Sequence, residues 1–198
     1  MLLGLTLILF QGMNPILASA IMPGWGELIL ERKNEARTFF IIEGSLWFSY
    51  YTFNWAGKNL EHASRAFAVE HAGANPARRD AEYFDHLEDY ISSEEYNLIV
   101  ERDASLYYPD DPQAQQEYIS EHGYFGEDQW QWDTVVNQIF YWEKRKSARE
   151  NFRRATFMTG FMIINRIVSV INVAVFKHET NLGVEVSPQR IGLYYKFY

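Results

Sequence analysis

One acid and one base stand inside otherwise apolar stretches of this chain: Glu43 within residues 38–56 and Arg166 within residues 155–176. Each stretch is about long enough to cross a hydrocarbon layer as a helix. An ionisable group at that depth is costly unless it is paired or lines a wet cavity. An acid on one span and a base on the other therefore predict an ion pair inside a membrane hairpin. Antiparallel spans would place the two residues roughly 8 Å apart in depth at 1.5 Å per residue, a gap an extended arginine covers.

The second stretch also carries Asn165, Ser169 and Asn172 at helical spacing, with Arg166 on the edge of that stripe. Glu43, Asn165, Arg166, Ser169 and Asn172 form the expected intramembrane polar cluster. Small polar groups on one face hold membrane helices together at roughly 1 kcal/mol each. The competing chemistry is an ion or proton path, or a wet pocket used by a small membrane enzyme or transporter component.

Other chemistry is poorly served. His86 has Glu82 and Asp89 on its face, which reads as a solvated acidic helix surface. Glu61-His62 and Glu70-His71 fall on opposite faces of one helix. No His-Glu-x-x-His, Gly-x-Ser-x-Gly or phosphate loop occurs, and acidic pairs are too common for any to stand out as a catalytic dyad. No catalytic residue, metal site or cofactor is expected. With no cysteine there is no disulfide and no thiolate ligand. The net charge of -8 disfavours nucleic acid as a partner.

The elements that must position the cluster follow from the pattern. Residues 1–20 read as a signal peptide, with an apolar core at 2–10 and Ala18-Ser19-Ala20 as the cleavage tripeptide. No Lys or Arg precedes that core, so an uncleaved first span is the alternative. Residues 21–56 hold a turn, Pro23-Gly24-Trp25-Gly26, then Glu27 in the first turn of a helix, then the first span. That span ends in Trp47, Phe48, Tyr50, Tyr51, Phe53 and Trp55, an interfacial aromatic belt.

Residues 57–150 are an acidic helical segment, with twenty Asp and Glu against nine Lys and Arg. Helices are expected over 60–71, 77–90, from Ser92-Ser93-Glu94-Glu95 towards Leu106, and over 113–121. From 128 to 176 there is no proline and a single glycine, Gly160, so one long helix or two are expected there. Trp130, Trp132, Val136, Ile139, Phe140 and Tyr141 would pack on the shorter helices. The second span lies within residues 151–178. Lys144, Arg145, Lys146, Arg149, Arg153 and Arg154 just before it place that side, and the acidic segment, in the cytoplasm. Cleavage after Ala20 gives the same orientation.

Residues 179–198 alternate as a β-hairpin, with Val184 and Val186 flanking Glu185, and Ile191, Leu193, Tyr195 and Phe197 on one face. An isolated hairpin is marginal in water, so it docks on its own helices or adds to another sheet, including that of a second copy. The helical remainder excludes a β-barrel.

Pro23-Gly24-Trp25-Gly26-Glu27 after a signal resembles the Pro-Gly-Trp/Leu-Gly-Gln motif of an uncharacterised bacterial family of small membrane-associated proteins. Asn165-Arg166-Ile167-Val168-Ser169 is similar to that family's late hydrophobic helix, and Glu27 stands where the family more often has Gln. The resemblance implies location and architecture, and no activity. The expected fold is mainly α, a helical membrane protein with two hydrophobic spans, an acidic middle segment and a C-terminal hairpin. The expected role is a membrane-anchored scaffold that meets a protein partner or a second copy. The expected place is a bacterial membrane, the inner one first, with the outer membrane or periplasm as alternatives. A secreted soluble bundle with both apolar helices in its core is the remaining reading.

Overall fold

In a computed structural model the chain is mainly helical, and residues 13–187 and 190–195 are described, with side chains for 13–176. The helices are α1 (Pro15–Ile21), α2 (Trp25–Ile29), α3 (Lys33–Ala72), α4 (Ala81–Asp89), α5 (Ser93–Tyr107), α6 (Pro112–His122) and α7 (Val135–Asn181). Two strands follow, β1 (Leu182–Ser187) and β2 (Arg190–Tyr195), paired antiparallel with Val184 opposite Leu193. The turn expected at Pro188-Gln189 and the side chains of the expected hairpin lie outside the described residues, as does the apolar core at 2–10.

Local chemistry sets the helix starts. Asn14 accepts from Ile16 N–H at 3.0 Å ahead of Pro15, and Asp111 accepts from Gln113 and Ala114 N–H ahead of Pro112. Each side chain satisfies a donor that the helix cannot, and proline at the first position loses nothing. Ser92 caps α5 through Glu95 N–H at 3.1 Å, while the Glu95 carboxylate reaches back to Ile91 N–H at 3.0 Å. Asp80 caps α4, which begins at Ala81 rather than 77 because Pro76 and the Arg78–Asp80 pair hold the preceding residues in a turn.

The chain divides into two compact units, residues 53–153 and residues 1–52 with 154–198. Both α3 and α7 contribute to each. Helix α3 runs unbroken through Gly57, where the two sequence segments meet. A Cβ there would stand 2.8 Å from the Phe152 ring, so this glycine admits a close neighbour inside a continuous helix.

The unit of residues 53–153 is built on aromatic side chains. Tyr83, Phe84, Leu87, Tyr124, Trp130, Trp132 and Tyr141 form its buried core. Their polar ends are all used: Trp132 Nε1–H donates to Leu87 O at 2.9 Å, Trp130 Nε1–H to Tyr90 O at 3.3 Å and Tyr141 Oη–H to Phe84 O at 2.8 Å. That is what lets amphipathic rings fill a core without stranding a polar atom. Burial pushes the Tyr141 hydroxyl up to about 12 and also raises that of Tyr124.

Two expectations are corrected here. The helix α7 begins at Val135, and the residues before it run as a strap. Gln131 N–H and Asp133 N–H donate to Ala72 O and His71 O, both at 2.9 Å, which closes the open carbonyls at the end of α3. Trp130 and Trp132 hang from this strap into the core. Tyr141 is buried as expected, whereas Val136, Ile139 and Phe140 are exposed, because the strap already covers the shorter helices.

The other unit has the opposite polarity. Glu27, Glu43, Asn165 and Ser169 are buried, while Ile41, Ile42, Phe48, Tyr51, Phe157, Phe161, Ile163, Ile164, Ile167, Val168, Ile171 and Val175 face outward, Phe48 to 74%. Buried positions recur every seven residues, at Ala36 and Glu43 on α3 and at Ala155, Met162 and Ser169 on α7. Seven residues is the spacing at which paired long helices keep one seam in contact. Apart from Met162, the seam is small or polar. Among the described residues one helix, within Val135–Phe176, is long and apolar enough to cross a membrane by length and composition.

Candidate functional site

The polar seam of this second unit gathers the expected cluster and divides it between two carboxylates. Glu43 on α3 is the first. Its Oε1 faces Arg166 Nη2 at 2.8 Å and accepts from Trp47 Nε1–H at 3.1 Å, and its Oε2 accepts from Asn165 Nδ2 at 3.0 Å. Arg166 Nη1–H also donates to Met162 O at 3.0 Å. The expected pair of Glu43 with Arg166 is thus present, and Asn165 stands with it. The Glu43 side chain is almost fully covered, whereas the Arg166 side chain remains 30% exposed.

Ser169 and Asn172 belong to a different acid, Glu27. This carboxylate is fully buried and accepts from Ser169 Oγ–H at 2.9 Å, Ser19 Oγ–H at 3.0 Å and Asn172 Nδ2 at 3.1 Å. Behind each hydroxyl stands a backbone donor: Gly24 N–H reaches Ser169 Oγ and Gly26 N–H reaches Ser19 Oγ, both at 3.1 Å. An amide donating to the hydroxyl oxygen turns the hydroxyl proton towards the carboxylate. Every polar neighbour of Glu27 therefore presents hydrogen, and such chains strengthen one another in low dielectric. The nearest cation is one step removed, since Arg32 Nη1–H donates to Asn172 Oδ1 at 3.2 Å while its guanidinium lies 4.4 Å from the Phe176 ring centre.

The boundary turn builds this second cluster. Pro23, Gly24 and Gly26 are buried and Trp25 is half-buried. Gly24 takes φ 97°, and a Cβ there would stand 2.7 Å from Ala36 O. At Gly26 a Cβ would meet Pro15 O at 2.2 Å and Ser19 Oγ at 2.3 Å. The motif thus brings its backbone against α1 and α3 closely enough for amides to reach serine hydroxyls. Glu27 was expected only as a first-turn acid of the following helix. The signal that pointed further was the pairing of a glycine turn with a second buried-looking acid ahead of the Asn165–Asn172 stripe.

As chemistry, a carboxylate beside two serines has the donors and acceptors of a base and its nucleophile. Ser19, Glu27 and Ser169 have no solvent-exposed surface, and both hydroxyl oxygens already accept amides. The cluster fixes α1, α2 and α7 to one another. A cavity of about 350 Å³ lies in the other unit, lined by Ala72, Gly73, Ser92, Ser93, Trp130 and neighbours, and none of the cluster residues borders it.

The histidines have separate roles. His71 Nδ1 lies 3.0 Å from Asp133 Oδ2, and this bond holds the Asp133 carboxyl below its ordinary range. His86 leaves the acidic surface predicted for it. It sits half-buried among Tyr90, Tyr96 and Tyr124, with Nδ1 3.0 Å from Tyr124 Oη, and burial lowers its pKa. Among the described residues no three or more His, Asp or Glu side chains converge as metal ligands.

Comparison of the chain with protein-family models, with characterised proteins and with solved structures finds no match. The site therefore stands on its own geometry.

Proposed function

We propose that this chain is a membrane-anchored structural or interaction protein, with residues 38–56 and 155–176 as two spans and the acidic unit outside the hydrocarbon. One observation carries the reading: the unit of residues 1–52 and 154–198 buries Glu27, Glu43, Asn165 and Ser169 and turns isoleucine, valine and phenylalanine outward. In water both choices are unfavourable, because exposed apolar surface costs roughly 25 cal/mol per Å² and buried polar groups must replace their lost water. In hydrocarbon both are favourable. Contiguous apolar surface of this extent marks a protein or lipid contact.

The first span contains Glu43, Ser45, Ser49 and Asn54, which lowers its hydropathy, and the paired carboxylate offsets that cost. The glycine turn and the Asn165–Ser169 stretch support a place among small membrane-associated bacterial proteins, and the cations at 144–154 orient the acidic unit towards the cytoplasm of an inner membrane. The two strands are the proposed contact for a partner or a second copy. Alkaline carbonate extraction of membranes from producing cells tests the reading. The protein stays with the membrane pellet; release into the supernatant would remove the membrane role and leave a soluble bundle.

A further inference from the structure

Six cations fall within eleven residues of α7, Lys144, Arg145, Lys146, Arg149, Arg153 and Arg154, and the structure divides their work. Arg145 is turned inward. It pairs with Asp85 and, at 2.5 Å, with Glu88, and donates to Tyr141 Oη at 3.2 Å. Arg149 meets the same Glu88 at 2.7 Å. These two arginines fasten α7 to α4.

Lys144, Lys146 and Arg153 are different. Among the described residues none has a carboxylate within ion-pair distance. Lys146 Nζ lies 4.8 Å from the Trp142 ring centre and Lys144 Nζ 5.6 Å from that of Phe67. An aromatic face holds an ammonium in place without neutralising it. Lys146 and Arg153 are exposed and seven residues apart, so they share one side of the helix.

The geometry points to Lys146 and Arg153 as a binding face for anionic phospholipid headgroups, an inference that rests on the membrane reading above. Arg153 precedes Phe157, the first exposed phenylalanine of the apolar stretch, by one helical turn, about 6 Å along the axis. That is the depth of a phosphate beside the hydrocarbon edge, since the headgroup layer adds roughly 5–8 Å on each side. Lys146 stands about two turns further out on the same side, about 10 Å along the axis. Held over Trp142, the Lys146 ammonium acts on the headgroups through its field and not by contact, at about the Debye length of 8–10 Å. The middle segment as a whole is acidic, twenty acids against nine bases over residues 57–150. The net charge of that segment is unfavourable beside an anionic bilayer, and these two cations offset it where the helix enters.

The test uses the full chain, purified in mild detergent and reconstituted into vesicles of phosphatidylcholine alone or mixed equally with phosphatidylglycerol. Lipids retained after gentle re-extraction are counted by native mass spectrometry. The wild type retains phosphatidylglycerol in preference to phosphatidylcholine; Arg153→Gln reduces that preference roughly fivefold, and Lys146→Gln reduces it by a smaller factor. Arg102→Gln, an exposed arginine on α5, leaves it unchanged, and circular dichroism shows that all variants keep their helices. Integration into both vesicle types with no preference for phosphatidylglycerol would overturn this inference and leave the membrane reading standing. A preference that survives both substitutions would overturn it as well. Failure to enter either vesicle would remove the membrane reading itself.

Discussion

The Glu43 carboxylate and the Arg166 guanidinium meet at 2.8 Å, although 122 residues separate Glu43 from the neighbouring Asn165 that completes its shell. Removing one member of such a pair leaves an uncompensated charge and costs about 3–5 kcal/mol, whereas removing both is far milder. Arg166→Leu alone should lower the unfolding midpoint in detergent more than Arg166→Leu combined with Glu43→Gln. Additive effects of the two substitutions would mean that the contact contributes nothing.

Gly26 is the tightest point of the boundary turn. A methyl group there would stand 2.2 Å from Pro15 O and 2.3 Å from Ser19 Oγ, the latter bonded to Glu27. Gly26→Ala should therefore separate α1 from α2, leave Glu27 short of a donor and cost at least the 1–3 kcal/mol of an unsatisfied buried group. Limited proteolysis reads this directly: the variant is cut between α1 and α2 under conditions in which the wild type is intact. Equal resistance would contradict the account of the motif.

Ser19 raises a question of processing. Ala18-Ser19-Ala20 has the form of a cleavage site, yet Ala18 and Ser19 are buried and Ser19 supplies one of the three donors to Glu27. The mature protein should retain these residues, and the intact mass of material from membranes reports it. A chain beginning at Ile21 would show that the cluster is completed some other way.

Much of this was legible from residue types, and the reasons differ by element. The cap at Ser92 was readable because a side chain bonds to its own helix, which is local chemistry. The meeting of Glu43 and Arg166 was readable because few arrangements make a lone acid and a lone base tolerable in apolar stretches. The seven-residue seam was hidden, since its members are Ala36, Glu43, Met162 and Ser169 rather than a hydrophobic stripe, and the apolar residues lie outside it. The strap carrying Trp130 and Trp132 was hidden for another reason. Nothing in a run free of proline announces that its first residues will close the end of another helix.

His86 gives the acidic unit a pH dependence. Burial lowers its pKa from 6.5, against the pull of Glu82, Asp85, Asp89 and Asp80, so the unfolded chain takes up the proton first. The stability this group contributes is complete above 6.5 and is lost as pH falls through the depressed folded value. Thermal unfolding followed by tryptophan fluorescence should show the midpoint falling below pH 6.5, and His86→Gln should flatten that part of the profile. An identical profile in the variant would assign the dependence to other groups.

Ile164 and Leu98 give the most direct test of the lipid-facing unit. Both are open in the fold, to 53% and 60%, and the chain has no cysteine of its own. In intact membranes Leu98→Cys should react rapidly with a water-soluble, membrane-impermeant maleimide once its side of the membrane is opened. Ile164→Cys should stay unlabelled until denaturant is added. Equal labelling of the two would mean that water, and not hydrocarbon, covers the apolar face.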